Sequence, residues 1–489
     1  MIIKLMKIDD VYLKVDCERD VAQELYEFFS FYAPNYKFMP SFRNKMWDGK
    51  IRLFDLRTNQ IYVGLLPYIK KFCEERSYEY DIEYQLQNNQ PELIDDDAER
   101  FTLSLNLPFK PRDYQLKSFM MAINNKRMLL LSPTASGKSL IIYLIIQYLQ
   151  QSNVPRGLLV VPNINLVTQM FRDFKDYGYD AEKHCHMIQS GAEKISDKFL
   201  FISTWQSIYK QPKAYFDQFK FIIVDEAHTA KAESIKGIMS KCTDAPYRIG
   251  TTGTLDGSLT HKLVLEGLFG NVYQSTTTSE MIENKQSASF EIKCLVLKHQ
   301  EEICKLSKKW NYQNEIDYLV TNNERNKFIK NLTLKLSGNS LVLFKLEKHG
   351  RYLHDIIKES AKNRFVAFVY GGTDKDVRDS VRDITERQND AIIIASYGVY
   401  STGVNIRNLH NIIFTSPSKS RIRVLQSIGR GLRLGNNKEK AVLYDIADDL
   451  RYKNGKPNYT LNHYTERLAM YDTEQHDYKQ YIINMNTNT

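Results

Sequence analysis

"LLLSPTASGKSLII", residues 129–142, runs from three leucines through a loop of small residues into a second apolar stretch. The first run has the length of a buried strand, and the second continues at the length of a helix. Between them, Gly137-Lys138-Ser139 forms the end of a phosphate loop. Backbone N–H groups of Thr134, Ala135, Ser136 and Gly137, with the helix N-terminus behind them, would hold a triphosphate. Lys138 would reach the outer phosphates and Ser139 would ligate a metal, so ATP and Mg²⁺ are the expected cofactors. One position departs from the pattern: Ser132, followed by Pro133, stands where a first glycine is usual.

Short, almost wholly apolar runs surround this segment: "MLLL" (128–131), "GLLVV" (157–161), "FLFIS" (199–203), "FIIV" (221–224) and "YRIGT" (247–251). Stretches of helical pattern lie between most of them. Runs of this kind suit strands buried on both faces of a parallel sheet. A second set follows: "LVLF" (341–344), "FVAFVYG" (365–371), "AIIIAS" (391–396), "NIIFTS" (411–416) and "AVLYDI" (441–446). Two such series predict two doubly wound α/β domains. The boundary between them falls in "TTTSEMIENKQSAS" (276–289), the polar stretch "YQLQNNQPELIDDDA" (84–98) reads as a linker, and the chain beyond about residue 456 reads as helical.

"FIIVDEAH" (221–228) is an apolar strand ending in two acids, at the end of a parallel strand where ligands bind. Asp225 would hold Mg²⁺ and Glu226 would deprotonate the attacking water; the alternative is a pair of helix-capping acids. In "PRDYQ", Arg112 to Gln115, the Gln115 carboxamide can pair with an adenine edge. "VVPNINLVTQ" (160–169) and "ISTWQSI" (202–208) place Asn163, Gln169 and Thr204 after strand ends, where they either grip a sugar–phosphate backbone or cap helices. "ASYGVYSTGVNI" (395–406) is a strand exit carrying Thr402, Gly403 and Asn405. As a helix, "RIRVLQSIGRGLRL" (421–434) aligns Arg423, Gln426, Arg430 and Arg433 opposite an apolar stripe. Such a face is either solvated or directed at an anion. Set against the triphosphate held by Lys138, Arg430 and Arg433 would stabilise charge developing during phosphoryl transfer.

The net charge of +9 is uneven. Residues 1–100 carry 14 Lys/Arg against 19 Asp/Glu, and the rest of the chain is basic, which favours a polyanionic partner. Inside the acidic front region, residues 37–57 gather six Lys/Arg against Asp48 and Asp55, with Phe38, Phe42 and Trp47 interleaved. Arg43, Lys45, Trp47, Lys50 and Arg52 are the candidates for touching phosphates and stacking on an exposed base; the alternative puts Trp47 in an ordinary core. The six cysteines form no C-x-x-C pair, and neither a bilayer-spanning run nor a signal peptide is evident. A soluble cytoplasmic protein with no membrane partner is expected.

"PTASGKS", "DEAH", "TTGT" (251–254), "STGVNI" and "QSIGRGLR" occur in this order and resemble the motifs of superfamily-two helicases over about residues 108–450. The front segment "FFSFYAPNYKFMPSFRNKMWDGKIRLFD" (28–55) looks like that of the phage UvsW-type recombination and repair helicases. The resemblance implies a small α+β domain over 1–98, RecA-like domains over 99–285 and 286–455, and a helical extension over 456–489. It implies that Arg112 and Gln115 bind adenine and that Thr252 and Thr254 couple ATP state to DNA. It also implies that Gly403 lies near the nucleotide, while Gln426, Arg430 and Arg433 complete catalysis. The activity implied is ATP-driven remodelling of branched or duplex DNA (forks, Holliday junctions, D-loops, R-loops) by a monomer. Its candidate protein partners are single-stranded-DNA-binding and recombination proteins. RNA unwinding, or a nucleotide-gated binding switch without strand separation, are the alternatives; the motor motifs alone do not separate DNA from RNA.

Overall fold

The computed structural model describes residues 2–33, 36–83, 86, 92–133, 136–189, 193–228, 233–253, 255, 259–284, 289–402, 406, 408–416, 440–453, 455–473 and 476–485. The chain divides into two compact units. One holds Met1–Ser132 and Gly137–Thr276, and the other holds Pro133–Ser136 and Thr277–Thr489.

The first unit begins with β1 (Ile3–Lys7) and β2 (Tyr12–Asp16), then β3 (Ser30–Tyr32), β4 (Lys50–Arg52), β5 (Gln60–Tyr62) and β6 (Tyr80–Ile82). Four of these form a sheet in the order β5-β2-β1-β6, and β3 pairs with β4 as a separate antiparallel ribbon. Alternation explains the sheet: Ile3, Leu5, Leu13 and Val15 are buried, while Lys4, Lys14 and Asp16 face solvent.

A seven-stranded parallel sheet follows, made of β7 (Arg127–Leu131), β8 (Gly157–Val161), β9 (Cys185–Ile188), β10 (Leu200–Thr204), β11 (Phe221–Asp225), β12 (Tyr247–Thr252) and β13 (Val272–Gln274), in the order β13-β7-β12-β11-β8-β10-β9. All five runs read as strands in this half are strands. The apolar runs are continuous because successive residues enter cores on opposite faces. Leu158, Val160, Ile222 and Val224 join one core; Leu159, Val161, Ile223 and Ile249 join the other.

The first of these cores is continuous with the front sheet. Helix Leu259–Phe269 is the hinge of that packing: a Cβ added to Gly64 would lie 2.0 Å from the Glu266 carbonyl oxygen, and Tyr62 packs at 3.0 Å from the Cβ position of Gly267. The Tyr68 hydroxyl donates to Glu266 Oε2 at 2.6 Å, and the Asp10 N–H donates to the Thr243 carbonyl at 2.9 Å. The linker reading is therefore corrected over its second half. Leu93 is buried, its N–H donates to Asn124 Oδ1 at 2.8 Å, and Asp95–Ser104 is a helix with Ala98 wholly buried. Three acids in the first turn, Asp95, Asp96 and Asp97, which gave the segment its polar look, favour the helix by opposing its dipole.

The second unit is also a seven-stranded parallel sheet: β14 (Ser289–Lys298), β15 (Ser340–Phe344), β16 (Val366–Val369), β17 (Ile392–Ser396), β18 (Asn411–Phe414), β19 (Lys440–Asp449) and β20 (Tyr478–Asn484), in the order β16-β17-β15-β18-β19-β14-β20. The chain end is not all helix. Helix Tyr459–Thr473 is followed by β20, which pairs parallel to β14 from Ile292↔Tyr478 to Lys298↔Asn484. Two buried ion-pair clusters brace this unit. Asp448 accepts from Arg325 and lies 3.0 Å from His299 Nε2, and Asp445 accepts from Arg467 and Tyr471. Among the described residues, no helix is long and apolar enough to cross a membrane.

Candidate nucleotide site and nucleic-acid interface

Register brings three distant motifs together. Leu131 pairs with Thr252 and Thr251 pairs with Asp225, so β7, β12 and β11 end side by side. The phosphate-loop segment, the "TTGT" segment and the "DEAH" segment therefore leave the sheet side by side, at the C-terminal ends of its strands.

Gly137 has φ +79 and starts helix Lys138–Gln151. The conformation is left-handed, and a Cβ there would meet Gln115 Nε2 at 2.4 Å, so glycine is needed twice over. Gln115 is buried, and its Oε1 accepts from the Arg112 N–H at 2.9 Å. That bond orients the carboxamide nitrogen toward the loop. Arg112 Nη1 in turn donates to the Tyr114 hydroxyl at 2.9 Å.

Lys138 Nζ donates to the Ser132 carbonyl at 3.3 Å and lies 3.8 Å from Glu226 Oε1. Ser139 Oγ and the Tyr177 hydroxyl are 2.9 Å apart. Burial pushes the Tyr177 phenol up to about 12, so it stays protonated near neutrality. Asp225 accepts from Thr251 Oγ1 at 2.7 Å. Burial, then repulsion from Glu226, raises its carboxyl to about 6, with Lys138 acting in the opposite sense. Glu226 has φ +52, a left-handed conformation that costs a side-chain-bearing residue of order 1–3 kcal/mol and recurs at functional sites. His228 Nδ1 lies 3.2 Å from Glu226 Oε2 and 2.9 Å from Thr252 Oγ1. Two carboxylates, an ammonium and a hydroxyl thus converge at a helix N-terminus, an arrangement suited to a magnesium-bound triphosphate.

Ser136 is buried. Thr134, Ala135, Thr254, Gly403, Asn405 and the whole of residues 417–439, with Arg423, Gln426, Arg430 and Arg433, lie outside the described residues. Sequence reasoning missed Tyr177 and Thr251. Thr251 lies within a motif, whereas Tyr177 stands 38 residues from the serine it meets and has no local signal.

The candidates for nucleic-acid contact separate. Asn163 accepts from the Leu166 N–H at 3.1 Å and so caps helix Ile164–Asp176, on which Gln169 is exposed. Thr204 is buried, its Oγ1 3.0 Å from Ser207 Oγ. Thr402 ends helix Tyr397–Thr402, its side chain outside the description. The front ribbon is different. Trp47 is half-buried, not in the core, and its indole donates to the Lys50 carbonyl at 2.9 Å. Arg43 and Lys45 are exposed, Lys50 lies 5.4 Å over the Tyr32 ring, and Arg52 pairs with Asp48. Phe42, Arg43, Lys45, Met46, Trp47 and Asp48 line an open recess of about 590 Å³.

Family models match in three consecutive stretches: "DNA helicase UvsW, N-terminal" over residues 2–83, "Type III restriction enzyme, res subunit" over 83–257, and "Helicase conserved C-terminal domain" over 324–435. The ATP-dependent DNA helicase uvsW of Enterobacteria phage T4 is 34% identical over 507 residues, spanning 99% of this chain and 100% of that protein. The crystal structure of T4 UvsW aligns at 33% identity with a TM-score of 0.53, covering 99% of this chain and 100% of that one. A fragment of a putative HsdR subunit of a type I restriction enzyme from Vibrio vulnificus shares the fold, at 18% identity and a TM-score of 0.60, over 86% of this chain and 74% of that one. Identity at this level runs through the front domain as well as both parallel sheets, and on that ground the chain belongs to the UvsW family of ATP-dependent DNA helicases.

Proposed function

We propose that this chain uses ATP hydrolysis to remodel branched DNA: it regresses forks, migrates Holliday junctions and dissolves D-loops and R-loops. The observation that carries this reading is the basic, aromatic ribbon β3–β4, borne by a domain that shares one hydrophobic core with the nucleotide-binding sheet. Backbone contacts by the motor hold DNA of any sequence. A second contact, rigidly placed against the nucleotide domain, can distinguish a junction from a plain duplex.

In this reading Lys138 and the loop N–H groups hold the phosphates, Ser139 and Asp225 hold Mg²⁺, and Arg112 and Gln115 face the adenine. The buried, hydroxyl-supported Asp225 beside a helix N-terminus fits that ion. Bound there, the metal neutralises charge on the transferring phosphate. Glu226, held by His228 and Lys138, accepts the proton of the attacking water. Gly403, Gln426, Arg430 and Arg433 act from the second domain. Replacing Arg430 or Arg433 by Ala should leave ATP affinity near wild type and cut single-turnover hydrolysis on the order of 10³-fold. Unchanged turnover in both variants returns these arginines to a solvated face.

The test of function is one unwinding assay across forked DNA, Holliday junctions, linear duplex DNA and duplex RNA. Faster processing of the branched DNAs is expected. Preference for duplex RNA establishes the RNA-helicase alternative, and hydrolysis without strand separation establishes the switch.

A further inference from the structure

At the opposite end of β7 from the phosphate loop, the front domain and the nucleotide domain line an open recess of about 540 Å³. Arg127 opens β7 and Ser132 follows its end. Five residues at about 3.3 Å each put roughly 17 Å between the two sites. The volume of the recess falls in the range of small-ligand pockets, about 300–1,000 Å³.

Its lining is electrostatically one-sided. Lys7 and Lys70 come from the front domain, Lys126 and Arg127 from the nucleotide domain, and Asp10 is the one acid among them. Lys7 takes that acid, at 2.7 Å from Asp10 Oδ1. Arg127 shares the same acid, with Nη2 3.9 Å from Asp10 Oδ1 and also donating to the Asp10 carbonyl. Among the described residues, neither Lys70 nor Lys126 has a carboxylate within ion-pair distance. Lys126 also has φ +58, so its stem leaves a strained left-handed backbone. Burial, then the nearby Lys7, disfavours its charge. Lys70 and Lys126, two ammonium groups from two domains with no carboxylate partner among the described residues, meet at one recess and are what a phosphate group satisfies.

We propose that this seam recess is a phosphate-binding site, distinct from the ATP site, which receives either a backbone phosphate of a DNA strand or a free nucleotide. A phosphate there would bridge Lys70 of the front domain to Lys126 of the nucleotide domain. Occupancy would then fasten the front domain to the motor.

The test uses the full chain and the double variant Lys70→Gln, Lys126→Gln, neither residue belonging to the ATP site. Two quantities are read: the salt dependence of linear-duplex affinity, and the rise in melting temperature with dAMP or inorganic pyrophosphate in a Lys138→Ala background. If DNA is the ligand, the slope of log affinity against log salt falls by about 1–2 in the double variant. If a free nucleotide is the ligand, the slope holds and the melting shift seen with the Lys138→Ala parent disappears. In either case Lys70→Arg, Lys126→Arg restores the lost effect, which separates charge from packing. Both quantities unchanged overturns the site. The branched-to-linear ratio plays no part here, so failure of the junction reading is scored separately.

Discussion

Asp225 ends a fully buried strand at 5% exposure, and burial, then the adjacent Glu226, holds its carboxyl above the usual carboxylate range. Its folded pKa stands above the unfolded value, so the ionised form opposes folding at neutral pH. Asp225→Asn removes that charge and keeps an oxygen for Thr251. The variant should unfold at a higher denaturant concentration at neutral pH while losing ATP turnover. Lys138→Ala should lose turnover with no such gain, since it removes the cation that offsets both acids. A melt and an ATPase assay on the two variants decide it; equal stability for Asp225→Asn and the parent rejects the strained-carboxylate account. Both residues were legible in the sequence because a phosphate loop and a strand-end acid pair are local signals. The tie of Ser139 to Tyr177 was not, since nothing in "KDYGYD" marks a tyrosine that the fold brings back to the loop.

Among elements, the apolar runs marked ten strands of the two parallel sheets but not β14, which enters cores on both faces although Glu291 and Lys293 break its apolar run. β9, β13 and β20 lie at or beside sheet edges, where a strand needs fewer apolar residues: "CHMI" keeps two side chains inside, and β20 is mostly exposed. The β3–β4 ribbon has three residues per strand and no buried face of its own, so only its charge and aromatic content marked it. That content carries a prediction. Trp47→Ala, or Lys45 and Lys50 both to Ala, should weaken junction binding and lower the branched-to-linear ratio while sparing basal ATPase; the lysine pair should also flatten the salt dependence by about 1–2 units of slope. An unchanged ratio removes the ribbon as junction reader. In the second unit, His349 is 2% exposed, with Nε2 2.9 Å from Asn326 Oδ1. Burial, then Arg325, holds its pKa down to about 3. The unfolded chain protonates first, at about 6.5, so stability is full above that pH and falls as pH drops toward 3, by at most about 1.4 kcal/mol per unit. His349→Gln should flatten this fall between pH 6.5 and 4 in chemical denaturation; an equal slope rejects it.

At the scale of the molecule, the polar stretch 84–98 reads as a linker between the front domain and the motor. The packing argues otherwise. Tyr62, Gly64 and Tyr68 lie against helix Leu259–Phe269, Asp10 bonds to Thr243, and Ala98 and Leu93 belong to the core under helix Asp113–Asn125. The sequence concealed this because Tyr62, Gly64 and Tyr68 lie in one unbroken apolar run, "IYVGLLPYI" (61–69), and a run that meets another domain reads the same as one that meets its own core. Each 100 Å² of apolar seam left bare costs about 2.5 kcal/mol, against about 5–15 kcal/mol holding a domain folded. Removing residues 1–98 should therefore yield a protein that aggregates or melts well below the parent, its ATPase lost with the fold. A graded version avoids total collapse: Gly64→Ala, whose Cβ would meet the Glu266 carbonyl oxygen at 2.0 Å, should lower the melting temperature and lower ATPase at higher temperatures while leaving the nucleotide site's residues untouched. Should the truncated chain instead remain soluble, melt like the parent and hydrolyse ATP at its rate, the front domain is an appendage and the shared core contributes nothing to the motor.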